Sequence, residues 1–315
     1  MQYVGLQQQI GRNNRYSLLL LIAFPALLLA MLYIVIQVVA ANSKPDNGYG
    51  EALDGNQTFL VALPIVLVVV GIWFLIAYAG HAGFIRRSTG SKPLERKENM
   101  RVYNLVENLC IQLGIQTPQI YIIEDDSLNA FASGINQKTY AISLSRGIID
   151  KLDDDELEGV IAHELTHIQN RDVRLLIVSI IFVGIFAFLA EMALRSLRFG
   201  GGGKKKNGGY IVLIIIAVTA VCYLISIFLR FGISKKREYL ADAGAAEMTK
   251  KPYALANALR KIDADPNIEA VKSHDVAQLF IDNPQANQAK KFSIAGLFAT
   301  HPPIEKRIEL LDQFA

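Results

Sequence analysis

The hydrophobic and polar positions divide the chain into blocks. Residues 17–41 and 58–79 contain no charged side chain. Each run is longer than the roughly 20 apolar residues that cross a bilayer as a helix, so both are predicted to be transmembrane helices. The first outlasts the apolar core of a cleaved leader, and no clean small-residue cleavage site follows it, so it is read as a retained span. Trp73 and Tyr78 fall in the second half of the second run, where interfacial aromatics gather. Arg12 and Arg15 precede the first run, and Arg86, Arg87, Lys92, Arg96, Lys97 and Arg101 follow the second. The intervening loop sets Lys44 against Asp46, Glu51 and Asp54. The positive-inside bias therefore predicts that the N-terminus and everything just after residue 80 face the cytoplasm.

From residue 92 to 172 the pattern becomes that of a folded domain. Val102, Leu105, Val106, Leu109 and Leu113 recur at helical spacing, and Gly114 is placed to end that helix. PQIYIIEDD and TYAISLS read as short strands. A further helix is predicted from Asp153, capped through Glu156 three residues on, with Leu157, Val160, Ile161, Leu165 and Ile168 as its buried stripe. Two more apolar runs follow at 175–190 and 210–229, the first ending at Glu191. They are joined by RSLRFGGGGKKKNGG, a flexible low-complexity linker. A crossing hairpin would place Arg195, Arg198, Lys204, Lys205 and Lys206 outside, against the charge bias, so two arrangements stay open: partial entry, or crossing despite the bias. SKKREYLADAGAAEMT and PYALANALRKI have helical spacing, and HPPIEKRIELLDQF reads as a loop entering a last helix with Pro302 and Pro303 at its start.

Composition supports the membrane reading, with 52% hydrophobic residues over 315 positions. A formal charge of +3, its cations clustered beside the apolar runs, gives no footprint for nucleic acid. Cys110 and Cys222 lack the spacing of a metal knuckle or redox pair and read as reduced packing residues.

The stretch AHELTHIQNRD carries the chemistry. On a helix, His163 and His167 project from one face, where two imidazoles can bind one ion, and Glu164 is left free to take a proton from an activated water. A catalytic zinc needs a third protein ligand and an open position. In REYLAD, Glu238 can complete a His2Glu set and Asp242, one turn on, can accept the N–H of a ligand histidine. A structural metal in a transporter or scaffold is the competing class. It is disfavoured because neither cysteine lies near the motif and the spans lack paired acidic and basic residues.

HELTHIQNRD, REYLAD, NAFASG and the tail HPPIEKRI together resemble the HtpX-type membrane metalloproteases, relatives of the CAAX prenyl proteases. The resemblance covers nearly the whole chain. It implies an α+β, mostly helical, multi-pass membrane protein with a zincin-like domain, a small edge-strand sheet packed on the HExxH helix. Residues 1–80 would be an anchor with spans 17–41 and 58–79, and 81–315 a cytoplasmic protease domain interrupted by the hydrophobic hairpin. The implied activity is zinc-dependent hydrolysis of polypeptides, membrane or misfolded proteins among them, at the cell (inner or plasma) membrane. The resemblance makes His163, His167 and Glu238 the ligands of one Zn2+ per chain, Glu164 the general base and Asp242 the partner of a ligand histidine. Asn129 and Ala130 match the edge-strand position that holds substrate backbone, and His301 matches a tail histidine that approaches the cleft to stabilise an oxyanion. Arg307 is expected to form a structural ion pair. His81 and His274 match nothing. A prenylated C-terminus as substrate ranks below general proteolysis, because so few spans enclose no chamber for a lipidated tail.

Overall fold

The computed structural model describes residues 6–42, 53–199, 216–225, 235–265, 279–281 and 302–314. They fall into two compact units, one of residues 1–16, 80–177 and 231–315, the other of residues 17–79 and 178–230.

The second unit is helical. It holds most of α1 (Leu6–Asn42) and α2 (Gly55–Thr89), with Pro25 and Pro64 accommodated inside them, most of α6 (Asp172–Phe199), and α7 (Ile216–Ile225). Helices α1, α2 and α6 are long and apolar enough to cross a membrane. Their packing is aromatic: Phe24 stacks on Phe182 at 4.8 Å between ring centroids, and Phe74 stacks on the same ring at 5.3 Å. Tyr33 and Gln37 both donate to Asn56 Oδ1, joining the α1 end to the start of α2. Leu60, Val61, Ile65, Val68, Leu75 and Ile76 are all at least 60% exposed. Apolar area of this extent is stable only against lipid or another protein. The sequence pattern ends the third run at Glu191, whereas α6 continues to Phe199. The charge does not stop the helix because Glu191 pairs with Arg195 one turn on, and the pair lies on an exposed face. The glycine-lysine linker and the flanks of α7 lie outside the described residues.

The first unit carries a four-stranded sheet of order β1 (Lys92–Pro93), β2 (Gln119–Ile123), β4 (Ala141–Ser145), β3 (Ala130–Ser133). β1 pairs antiparallel with β2, β2 parallel with β4, and β3 antiparallel with β4, so β3 ends the strand order. The remaining elements are α3 (Met100–Leu113), α4 (Arg146–Lys151), α5 (Asp154–Gln169), α8 (Lys235–Thr249), α9 (Pro252–Ala264) and α10 (Ile304–Asp312). Gly114 ends α3 with a left-handed φ of 65°, which it adopts without a Cβ penalty.

Helix α5 is the hub. Asp153 and Glu156 form the reciprocal capping box expected from the sequence, and Asp154, Asp155 and Glu156 place negative charge at the positive end of the helix dipole. Lys251 and Lys261 reach back from the α9 region to Asp155, Glu158 and Glu156. Arg101 of α3 bonds the carbonyls of Ile149 and Leu152 just before the helix begins. Leu157, Val160, Ile161 and Leu165 are fully buried and Ile168 nearly so, as their spacing requires. The burial extends past that stripe, because β3, α3, α8 and α9 all pack on this one helix.

Candidate metal centre

One helical turn separates His163 from His167 on α5, and their rings meet edge to face at 4.7 Å. They lie off the apolar stripe, yet His163 is completely buried, because α8 covers that face. The approach of α8 depends on small residues. Ala241 and Ala245 are fully buried, and a Cβ on Gly244 would come within 2.6 Å of the Thr166 side chain.

This close contact delivers Glu238 to the histidines. The two Nε2 atoms stand 3.2 Å apart, and the carboxylate oxygens of Glu238 lie 3.5 Å from His167 Nε2 and 3.6 Å from His163 Nε2. Ligand atoms about 2.05 Å from a tetrahedral zinc are separated by roughly 3.3 Å, so the three side chains already hold the spacing such an ion needs. Among the described residues, this is the one group of three or more histidine, cysteine or acidic side chains whose ligand atoms converge in this way.

The outer nitrogens are held as well. His163 Nδ1 is 2.9 Å from Asp242 Oδ1, and His167 Nδ1 is 3.1 Å from Asp172 Oδ2. Each carboxylate accepts an N–H, which leaves both Nε2 lone pairs pointing inward at one another and at Glu238. That arrangement calls for positive charge at its centre. Burial opposes charge on His163, but Asp242 and Glu238 outweigh it and push the imidazole up to about 9.

Arg307 is 1% exposed and turns Asp242 into a fixed point. Its Nε and Nη2 donate to the two oxygens of Asp242 at 2.9 and 2.7 Å, its Nη1 donates to the Ile281 carbonyl at 3.0 Å, and Nη1 lies 3.6 Å from Glu238. Burial would raise the Asp242 carboxyl, but Arg307 and His163 overcome it and hold the group below the usual carboxylate range. The structural ion pair expected of Arg307 is therefore present, and its Nη2 lies beside the histidine ring, 3.4 Å from His163 Nε2 and 3.5 Å from Nδ1.

Glu164 is 2% exposed on the side of α5 that faces β3. Burial pushes its carboxyl above the ordinary range, opposed by the two histidines and by a hydrogen bond from the Ala132 backbone. Asn129 and Ala130 are buried at the start of β3. The Ala130 N–H is held by the Asn129 side chain at 3.0 Å, and its carbonyl accepts the N–H of Ile281 at 2.9 Å. Phe280 packs edge-on against Phe131 at 4.9 Å, so the 279–281 segment lies along this strand. His301 and His274 fall outside the described residues, and His81 is buried in α2. Both cysteines are free and buried, and burial pushes the Cys110 thiol up to about 11, which keeps it an inert packing group.

Sequence reasoning missed Asp172, although it ends the very stretch that drew attention to the histidines. A signal existed: a metal-binding imidazole ordinarily gives its second N–H to a carboxylate. The turn that aims it had none, because Arg171, between α5 and α6, adopts a left-handed φ of 61° that non-glycine residues seldom take. Arg237, 3.5 Å from Asp172 Oδ1, and Asn13, 2.6 Å from the same oxygen, were also missed.

Residues 96–315 match the model of peptidase family M48. A Protease HtpX homolog of Bacteroides fragilis is 55% identical over the full length of both chains. Another, from Listeria monocytogenes, is 35% identical over 98% of this chain and 99% of that protein. A third, from Dictyoglomus turgidum, is 36% identical over 80% of this chain and 81% of its own length. Among solved structures, that of S. mikatae Ste24p aligns with a TM-score of 0.48 at 19% identity, over 81% of this chain and 58% of that one.

Proposed function

The chain belongs to peptidase family M48, and on that premise we propose that His163, His167 and Glu238 hold one catalytic zinc ion, with Glu164 as the general base. The protein is a membrane-associated metalloprotease that acts on polypeptides. The observation that carries the residue assignment is the convergence of two imidazole nitrogens and one carboxylate at 3.2, 3.5 and 3.6 Å. Zinc is the metal best suited to this mixed nitrogen and oxygen set.

Zinc held there would lower the pKa of a bound water towards neutrality and polarise the scissile carbonyl. Glu164 receives the proton of the attacking water and hands it to the departing amine. Its burial supports this role, since a carboxyl raised above its ordinary range is a better proton acceptor at neutral pH. Asp242 and Asp172 keep the two imidazoles in the tautomer that leaves Nε2 free, and Arg307 holds Asp242 in place. Asn129 and Ala130 receive the extended substrate backbone at the β3 edge, in the manner of an added strand. A substrate that uses the Ala130 carbonyl takes over the bond now given by Ile281. His301, from the segment before α10, stabilises the developing oxyanion.

Substrates are membrane and misfolded proteins, in keeping with a site carried on a chain with three span-length apolar helices. The centre faces the cytoplasm of a cell whose inner or plasma membrane holds the spans. The support is the cluster of cations after α2, with Arg86 and Arg87 in its last turn.

Glu238→Ala tests the ligand assignment. Two imidazoles alone hold zinc far more weakly than three ligands do, so the variant should lose most of its zinc together with its activity. The measurement is metal content per chain after purification, against the parent. Full zinc occupancy in Glu238→Ala would show that the third ligand lies elsewhere.

A further inference from the structure

Asn13 lies near the start of α1, far in sequence from the metal helix, yet it is only 1% exposed. Its side-chain Nδ2 donates two hydrogen bonds, to the carbonyl of Asn170 at 2.8 Å and to Asp172 Oδ1 at 2.6 Å. Asn170 closes α5 and Asp172 opens α6, so one carboxamide clasps both sides of the left-handed turn at Arg171. Asn14, the next residue, accepts from Arg171 Nη1 at 3.0 Å and fastens the turn itself.

The second carboxylate oxygen of Asp172 is the one 3.1 Å from His167 Nδ1. Asn13 thus sits one hydrogen bond behind the group that orients a proposed ligand. The two histidines are supported asymmetrically: His163 is backed by Asp242 and the α10 residue Arg307, whereas His167 is backed by Asp172 and a residue of α1. Arg237 also approaches Asp172, but at 3.4 Å from its carbonyl and 3.5 Å from Oδ1, longer contacts than the Asn13 bond.

We propose that Asn13 is a positioning residue of the metal centre: by fixing the Asp172 carboxylate it holds His167 in the orientation and tautomer that present Nε2 to the metal. The proposal rests on His167 being a ligand, as argued above. It makes the first residues of α1 part of the catalytic unit and not only a lead-in to a membrane span.

The test uses the full-length protein in detergent, stripped of metal and titrated with zinc against a chromophoric chelator. A cobalt-loaded absorption spectrum and the unfolding midpoint of the metal-free protein are read alongside. Asn13→Ala should weaken zinc binding up to about 10-fold, the lower end of the range for losing the carboxylate directly behind a ligand, and should alter the cobalt spectrum. Asn13→Asp conserves size but loses both donated bonds and sets a carboxylate against Asp172, so it should weaken binding further. In an Asp172→Ala background, Asn13→Ala should weaken binding no further, since its action runs through that carboxylate. Should either variant fail to fold, the other member of the pair and the double variant still give the comparison. Parental zinc affinity in both Asn13 variants, with only a lowered unfolding midpoint, would overturn the proposal and leave Asn13 a structural clamp. His167→Ala separates the two claims: parental affinity there would remove the ligand assignment itself, and the proposal with it.

Discussion

Glu164→Gln is expected to keep its fold and its metal while peptide hydrolysis falls by about 10²- to 10⁴-fold or more. Glutamine has the size of glutamate and retains an oxygen to accept the Ala132 backbone hydrogen bond, so the 2% exposed pocket need not rearrange. It cannot accept the proton of the attacking water. Loss of a general base accounts for most of that factor, and the loss grows when the same group also protonates the leaving amine. Zinc per chain and the rate of casein cleavage, measured on one preparation, give the result. Autolysis offers a second readout, since GGGGKKKNGG is a glycine-rich, cationic target, and the variant should accumulate intact where the parent is cut. Cleavage at the parental rate would remove Glu164 from the mechanism.

Arg307→Ala should be the most destabilising single change at the centre. The guanidinium is 1% exposed and is bonded to both oxygens of Asp242 and to the Ile281 carbonyl. Truncation leaves a buried carboxylate and a carbonyl without their donor, and breaking a buried pair in this way costs about 3–5 kcal/mol. For a unit of this size that corresponds to a thermal midpoint roughly 6–20 °C lower, read by circular dichroism in detergent. Arg307→Lys should recover only part of the loss, because an ammonium cannot reproduce the two-pronged contact with Asp242. An unchanged midpoint in Arg307→Ala would mean that Asp242 is satisfied by His163 alone.

Much of this architecture was readable locally. The imidazole pair needs only an i, i+4 spacing on a helix, and the capping box at Asp153 and Glu156 fixes where that helix starts. Gly114 at the end of α3 and the two prolines before α10 are equally local signals. Glu238 and Asp242 were legible as a pair because they too stand one turn apart, although nothing in their own helix says which element they face. What escaped is what depends on tertiary approach. The Asn13 bond spans 159 positions, and the Arg237 contact with Asp172 spans 65. The burial of His163 follows from Ala241, Gly244 and Ala245 letting α8 settle against α5, and small residues on a helix carry no label naming their neighbour. The extent of α6 was underestimated for a different reason. A lone acidic residue reads as the end of an apolar run, while its partner Arg195 makes the charge compatible with continuing the helix. β3 was too short for a period-2 pattern to stand out, and it was recognised through the NAFASG resemblance instead.

The central claim is that one zinc ion, held by His163, His167 and Glu238, is required for peptide hydrolysis. Its most direct test is metal content and casein cleavage followed together on the purified full-length protein through chelation and reconstitution. The account predicts about one zinc per chain, loss of metal and activity in parallel under a chelator, and recovery of both when zinc is returned. Protein stripped of metal that still cleaves casein at the starting rate would contradict it.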